Sequence, residues 1–591
     1  MEHQQDLQAS SGERLTLSTS QGNQNDGKKR RLSTGQGNQN DGKSLEWVLT
    51  AANVSEEGDA SSPYRPLAKD RRDIRLLTVH PSDHAADVLQ CYLTEWSLED
   101  PALSYDALSY EWAKPEPTFP ITVNGHRTRI RRSLYNALRQ LRTDANPEAY
   151  VIWADALCIN QNDDEERGHQ VAMMADVFSN ASTVRAWLGK GDPALDKGLR
   201  VMERLARCSC HGAYAAECVL LLEKGPAPSR NLHSSEFLAL AASFQASYWT
   251  RAWIVQELSF GKRVVLQRGD QAFHIQCWWR LACIIQAQSE IVALAGEEGR
   301  GATAMINFTS MMQYARLLCD SSGKRLGHFP WSPHVVHEAG YQLMTHFALQ
   351  RASELHDYVY AMSGFLHGLL DIKPNYKKPA LEVFEDANFR IIKATGSLRM
   401  LYGAASGNPA LPSWVFDFTL PAPLLPYPSE ASTGSAQPNA YAENPRKGQL
   451  RVMGAPLAEV VSVFEVPKET IIKARQTVWD CTNHRDRIDM KEIGFAAAAL
   501  EQSKSLLCFS NGWEGCSLIR PAIGDVIYHF ETLQHPLCIR RSAYGTQAAY
   551  SIVGVCYLLR PLKHTLNNLP GLRLLPQGEA ERANFVPILL V

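Results

Sequence analysis

No run of about 18 apolar residues, the length that spans a bilayer as a helix, occurs in this 591-residue chain, so no membrane span is expected. A surplus of one charge is equally lacking: the formal charge is −2, whereas nucleic-acid-binding domains carry a strong basic excess, so no nucleic-acid partner is expected. The thirteen cysteines show no C-x-x-C spacing, and no N-terminal apolar stretch has the form of a signal peptide. Both absences point to a reducing compartment and a cytoplasmic location. Cys208-Ser209-Cys210-His211, with Cys218 downstream, lacks a second pair at zinc spacing, so no metal is expected. Neither G-x-G-x-x-G nor G-x-x-x-x-G-K-[ST] stands at a strand–helix junction, which argues against a glycine-rich dinucleotide site and a nucleoside triphosphatase.

With 45% hydrophobic and 21% charged residues, the chain reads as globular and able to bury a sizeable core. At roughly 150 residues per domain its length suggests three or four domains. Residues 1–60 are polar and repeat QGNQNDGK at Gln21–Lys28 and Gln36–Lys43. Such a string buries too little apolar surface to fold, so a disordered tail is expected. Between the copies, Lys28-Lys29-Arg30-Arg31-Leu32-Ser33 reads as a solvated charge run, with nuclear import or phosphorylation at Ser33 as alternatives. A nuclear factor rests on that string alone.

Residues 61–280 alternate short apolar runs with helical patterns, the signature of a sheet with crossover helices. Ile74–Val79, Tyr105–Tyr110, Tyr150–Ala156, Thr183–Gly189 and Arg263–Gln267 are the expected strands, arranged in parallel. Asp163 and Glu166 form an expected capping box, and the helix after it places Val171, Met174, Val177 and Phe178 on one apolar face. A helical insertion containing GPAPS at Gly225–Ser229 interrupts the alternation from about 190 to 240. Residues 281–420 read as helical, 421–445 as a linker, and 446–591 as a small β-rich module.

The most pointed local pattern is Tyr248-Trp249-Thr250-Arg251-Ala252-Trp253-Ile254-Val255-Gln256-Glu257-Leu258. In one continuous helix, Trp249, Trp253 and Glu257 would line up at four-residue spacing on a single face.

Four strings in order, Tyr105–Trp112, Trp153–Gln161 with Glu166-Arg167, Val184–Gly189 and Trp249–Glu257, resemble the heterokaryon incompatibility (HET) domain of filamentous fungi. His356–Ala361, Lys373–Tyr376 and Leu411–Val415 resemble strings that follow it in such proteins. This chain departs from the pattern at Ala113, where a glycine is usual, and at Asn375, where an aspartate is. The resemblance implies an effector of fungal non-self recognition that triggers growth arrest or cell death. It also implies a distant likeness to TIR domains, and so a flavodoxin-like parallel sheet. Some TIR domains cleave NAD and others are assembly modules. In the cleaving ones the catalytic glutamate follows a tryptophan by four residues, as Glu257 follows Trp253.

On that basis Glu257 is the catalytic candidate, a carboxylate that could stabilise an oxocarbenium-like centre or hold ribose hydroxyls. A salt-bridging or capping role for it stays open. Asp155, Asn160 and Gln161 follow a central strand where open α/β sheets place ligands, and capping of the turn is the alternative. Trp112 and Tyr110 could stack on a base or nicotinamide ring, with core packing the alternative for Tyr110; Trp253 would lie beside Glu257. Arg167 could meet a phosphate or pair with Asp155 or Glu166. Cys158 has no histidine placed near it, so a cysteine hydrolase is not expected. No cofactor is expected, with NAD entering only as a substrate. The partners expected are a second copy or an incompatibility protein.

Overall fold

The chain divides into residues 1–60 and 61–591, and the first part lies outside the described residues. The computed structural model describes most of residues 62–193, 246–275, 350–420, 441–466, 503–561 and 585–591, with isolated positions between them. The duplicated string, the basic Lys28–Arg31 run, the GPAPS insertion and residues 421–440 therefore lie outside the description.

The first sheet has nine strands: β1 Asp73–Val79, β2 Leu89–Ser97, β3 Asp106–Ser109, β4 Thr118–Val123, β5 His126–Arg131, β6 Tyr150–Trp153, β7 Thr183–Trp187, β8 Val264–Arg268 and β9 Gln271–His274. Their order is β5-β4-β2-β1-β6-β3-β7-β8-β9. Its centre, β6-β3-β7-β8, is parallel throughout. In chain order these four run second, first, third, fourth, so the connections diverge from β3, first toward β6 and then to β7 on its other side. At such a reversal an open sheet leaves a crevice beyond its carboxyl ends.

The sheet is not wholly parallel. β1 pairs antiparallel with both β2 and β6; its pairing with β2 follows from the short loop between them, since a parallel pairing needs a crossover of a dozen residues or more. The hairpin β4–β5 turns on Asn124 and Gly125, with φ of 50° and 80°, the Asn-Gly turn that matches strand twist.

Helix α1, Arg132–Ala145, crosses between β5 and β6. Between β6 and β7 run α2 Asp155–Cys158, α3 Asp164–Ala172 and α4 Met174–Asn180. Asp163 caps α3, accepting from the backbone N–H groups of Glu165 and Glu166. The return half of the expected box is absent, because the Glu166 carboxylate is engaged by Arg75, with Nη1 at 2.6 Å and Nη2 at 2.9 Å. The helix breaks at Met173 rather than continuing, yet Val171, Met174, Val177 and Phe178 are all buried as expected.

After a 3-10 turn at Ser247–Thr250, α5 spans Trp253–Phe260 and leads into β8. Further along come α6, Asp357–Ser363, and α7, Ala380–Thr395, which closes on Gly396 at φ 60°. Gln256 of α5 ties the helices together: with its amide nitrogen turned to the Ala361 carbonyl, its oxygen accepts from Ala175 N–H, each at 3.1 Å.

The carboxyl-terminal part is antiparallel and β-rich as expected. β10 Ala442–Glu443, β11 Leu450–Glu465, β12 Ser505–Phe509, β13 Glu514–Ser517, β14 Val526–Phe530, β15 Leu537–Tyr544 and β16 Gln547–Pro561 follow the order β10-β11-β12-β13-β16-β15-β14, with β17 Pro570–Leu572 and β18 Val586–Leu590 alongside. β14 returns to pair with β11, so the sheet closes on itself, which removes exposed edges. One continuous apolar core runs from Ile74 through Trp153, Tyr360 and Trp414 to Leu590.

Candidate functional site

Three chain segments converge beyond the carboxyl end of β3. The strand itself ends on Ser109; α2, after β6, opens on Asp155; and the stretch Ser247–Phe260 supplies Tyr248, Arg251 and Glu257. Glu257 is 2% exposed. The Ser109 hydroxyl donates to its Oε2 and lies 2.7 Å from the Tyr248 hydroxyl. Arg251 Nη1 stands 3.7 Å from the same carboxylate oxygen and has no hydrogen-bond partner among the described residues.

Burial pushes the Glu257 carboxyl up to about 7, opposed by the Arg251 charge and the Ser109 hydrogen bond and reinforced by Asp155. Asp155 is also raised by burial and restrained chiefly by Arg251. Arg251 stays charged against its own burial because Glu257 and Asp155 both face it. One cation thus serves two carboxyls, and one of these exchanges its proton near neutral pH, the property a general acid or base requires.

Of the two indoles only Trp253 keeps its four-residue spacing to Glu257, within α5; Trp249 does not. The chain leaves helical geometry at Arg251, whose backbone bridges to Arg351, with Ala252 N–H donating to the Arg351 carbonyl at 2.9 Å. Trp249, in the 3-10 turn before this break, packs edge-on against Tyr248 and Phe308, at 5.0 and 5.2 Å. Trp253, in the first turn of α5, faces the Asp357 carboxyl and helps to restrain its upward shift on burial. A pairing about a hundred residues away in sequence therefore overrides the local period.

Of the other expected residues, Trp112 and Asp155 do come together: the indole Nε1 donates to Asp155 Oδ1 at 3.2 Å, and Arg131 lies over the indole ring at 5.5 Å. Tyr110 is a core residue, 3% exposed; its hydroxyl lies beside Asp155 without a well-formed hydrogen bond.

Asn160 and Gln161 fasten the turn. Asn160 Oδ1 accepts from Asn162 N–H at 3.2 Å, and Gln161 Nε2 donates to the Asp155 carbonyl at 3.0 Å. Arg167 pairs with neither Asp155 nor Glu166. It meets Asp164 at 2.9 Å and lies 3.9 Å above the Tyr376 ring, because Arg75 already holds Glu166. Cys158 is fully buried and burial pushes its thiol up to about 12, which leaves no thiolate at neutral pH. No group of three or more His, Cys, Asp or Glu able to hold a metal is found among the described residues, and no described helix is long and apolar enough to cross a membrane.

Ser109 and Tyr248 were not legible from the sequence as site residues. Ser109 sits inside a string that carries the family resemblance and Tyr248 stands just before another, but no spacing links a serine at a strand end to a glutamate that lies 148 residues later.

The family model for Heterokaryon incompatibility protein (HET) matches residues 105–257, from the start of the β3 string to Glu257 itself. A similar protein is heterokaryon incompatibility protein 6, OR allele, of Neurospora crassa, 40% identical over 144 residues, which are 22% of this chain and 21% of that protein. The alignment therefore spans about a fifth of the relative's length. No solved structure matches the chain. Residues 105–257, which carry Ser109, Asp155, Tyr248, Arg251 and Glu257, make this a heterokaryon incompatibility (HET) domain protein.

Proposed function

We propose that the HET domain is an effector of fungal non-self recognition that acts as a TIR-like enzyme, hydrolysing NAD to nicotinamide and ADP-ribose and so driving growth arrest or cell death. The observation that carries this reading is Glu257, a carboxyl pushed up to about 7 at the topological reversal in the sheet's parallel centre, held by Ser109 and Arg251. The order second, first, third, fourth of the parallel strands supports that reading, because flavodoxin-like sheets begin in the same order and take their ligands beyond the carboxyl ends at the reversal.

In the reaction water replaces nicotinamide at the ribose carbon. As carboxylate, Glu257 stabilises the oxocarbenium-like centre or holds the ribose hydroxyls; Asp155, with Trp112 bonded to it, lines the adjoining edge. Arg251 keeps the two carboxyls from repelling one another. Purified full-length chain incubated with NAD is expected to release nicotinamide, and Glu257→Gln to abolish the release. Unchanged release from that variant refutes the assignment.

The burial of Glu257, 2% exposed, favours a second reading, a signalling module that works through self-association or an incompatibility partner without chemistry. In that case NAD stays intact, and toxicity in a fungal host survives Glu257→Gln.

A further inference from the structure

A cleft of about 370 Å³ is lined by Phe119, Arg132, Tyr135, Asn136, Arg139 and Lys190, within the roughly 300–1,000 Å³ range of small-ligand sites. Four of these six stand on α1 at positions 132, 135, 136 and 139, the spacing that places side chains on one stripe of a helix. Lys190 comes from the chain just after β7, and Phe119 from β4. Three cations from two separate parts of the fold thus converge on one concavity.

Pro117–Thr143 contains six arginines and neither aspartate nor glutamate, in a chain whose net charge is −2. Arg132 stands in the first turn of α1, which holds no acidic residue. A helix start carries partial positive charge, so a cation there is disfavoured and an anion is favoured. Among the described residues neither Arg132 nor Lys190 has an ion-pair partner.

Protection of the sheet edge explains the exposed arginines along β5, since charged edge strands resist pairing with other chains. It does not explain Arg132, Arg139 and Lys190, which lie off that strand around a hollow. One wall of the hollow is aromatic: Phe119 and Tyr135 stack at 4.7 Å and 14°, with Arg139 5.8 Å from the Tyr135 ring. Guanidinium groups match the oxygens of a phosphate by paired donors, and an aromatic wall offers a surface to a flat base.

We propose that this cleft binds a nucleoside diphosphate or a closely similar organic diphosphate, its phosphates on Arg132, Arg139 and Lys190 and its base against the Phe119–Tyr135 wall. The site uses none of the residues around Glu257, and it stands or falls independently of NAD cleavage.

The test is calorimetric titration of the full-length chain with ADP, which has no nicotinamide bond to cleave. Saturable binding is expected, weakened tenfold or more by Arg132→Ala with Arg139→Ala, and also by Lys190→Ala, with melting temperatures unchanged. Pyrophosphate is expected to compete, but more weakly. No binding of ADP overturns the proposal, as does ADP binding that these variants leave intact. Pyrophosphate binding as tightly as ADP removes the nucleoside. Duplex DNA binding lost in the double variant, with ADP inert, identifies a nucleic-acid edge instead and likewise overturns it.

Discussion

Ser109, the last residue of β3, donates its hydroxyl to Glu257, 148 residues further along the chain, while also meeting the hydroxyl of Tyr248. That bond joins the first matched string of the HET domain to the last. It is also the hydrogen bond that restrains a carboxyl driven upward by burial. Removing it separates the two influences: in Ser109→Ala the Glu257 carboxyl is expected to titrate above its present value of about 7. The fold is expected to lose about 1–3 kcal/mol, the usual cost of orphaning a buried group. Urea melts at several pH values check both effects.

Glu257 also sets a pH dependence of stability. Its folded-state value of about 7 lies above the ordinary 4.5, so the folded state binds this proton more tightly than the unfolded one. The contribution is therefore fully present below about 4.5 and is lost as pH rises through about 7. The difference in melting temperature between the natural chain and Glu257→Gln is expected to shift against the natural chain from pH 5 to pH 8. A difference that is flat across that interval contradicts the burial account.

Arg75 and Glu166 form a buried strut under the same sheet end. Arg75 is 1% exposed and also donates to the Cys158 carbonyl at 3.1 Å and the Arg65 carbonyl at 2.6 Å. Arg75→Ala leaves Glu166 without its cation and is expected to cost about 3–5 kcal/mol, as breaking a buried pair usually does. Denaturant unfolding measures it, and a loss under 1 kcal/mol contradicts the role.

Gly168 packs so closely that an added Cβ would lie 2.7 Å from the Pro374 carbonyl oxygen. This contact joins α3 of the matched domain to the Lys373–Tyr376 string outside it. Gly168→Ala is expected to destabilise by about 1–3 kcal/mol through overpacking, without touching the environment of Glu257. Thermal melting of the full-length variant checks this.

Cys158 is expected to resist alkylation in the folded protein and to react in urea, since its thiol is buried and pushed up to about 12. Mass spectrometry after iodoacetamide treatment distinguishes the two states. Rapid native labelling would reopen it as a nucleophile.

The parallel centre was readable because β6, β3, β7 and β8 are short apolar runs bounded by turns. β5, His126–Arg131, is hard to read because its inward face carries a single apolar residue, Ile130, between exposed arginines. The continuous tryptophan helix failed for a different reason: the Arg251–Arg351 bridge is a tertiary contact, invisible to any local period. In the site, Asp155 and Trp112 could be found from their place at strand ends, and the structure joins them to each other. Asn160, Gln161 and Arg167 carry the same polar chemistry, yet turn closure and the Tyr376 ring occupy them. Ser109 and Tyr248 acquire meaning only once the fold brings Glu257 to them.

The central claim, that Glu257 is the working carboxyl of an NAD-hydrolysing HET domain, is tested most directly by nicotinamide release from purified full-length chain at high protein concentration, beside Glu257→Gln. Release by the natural chain and none by the variant is the predicted result; NAD left intact by both, or cleaved equally by both, contradicts it.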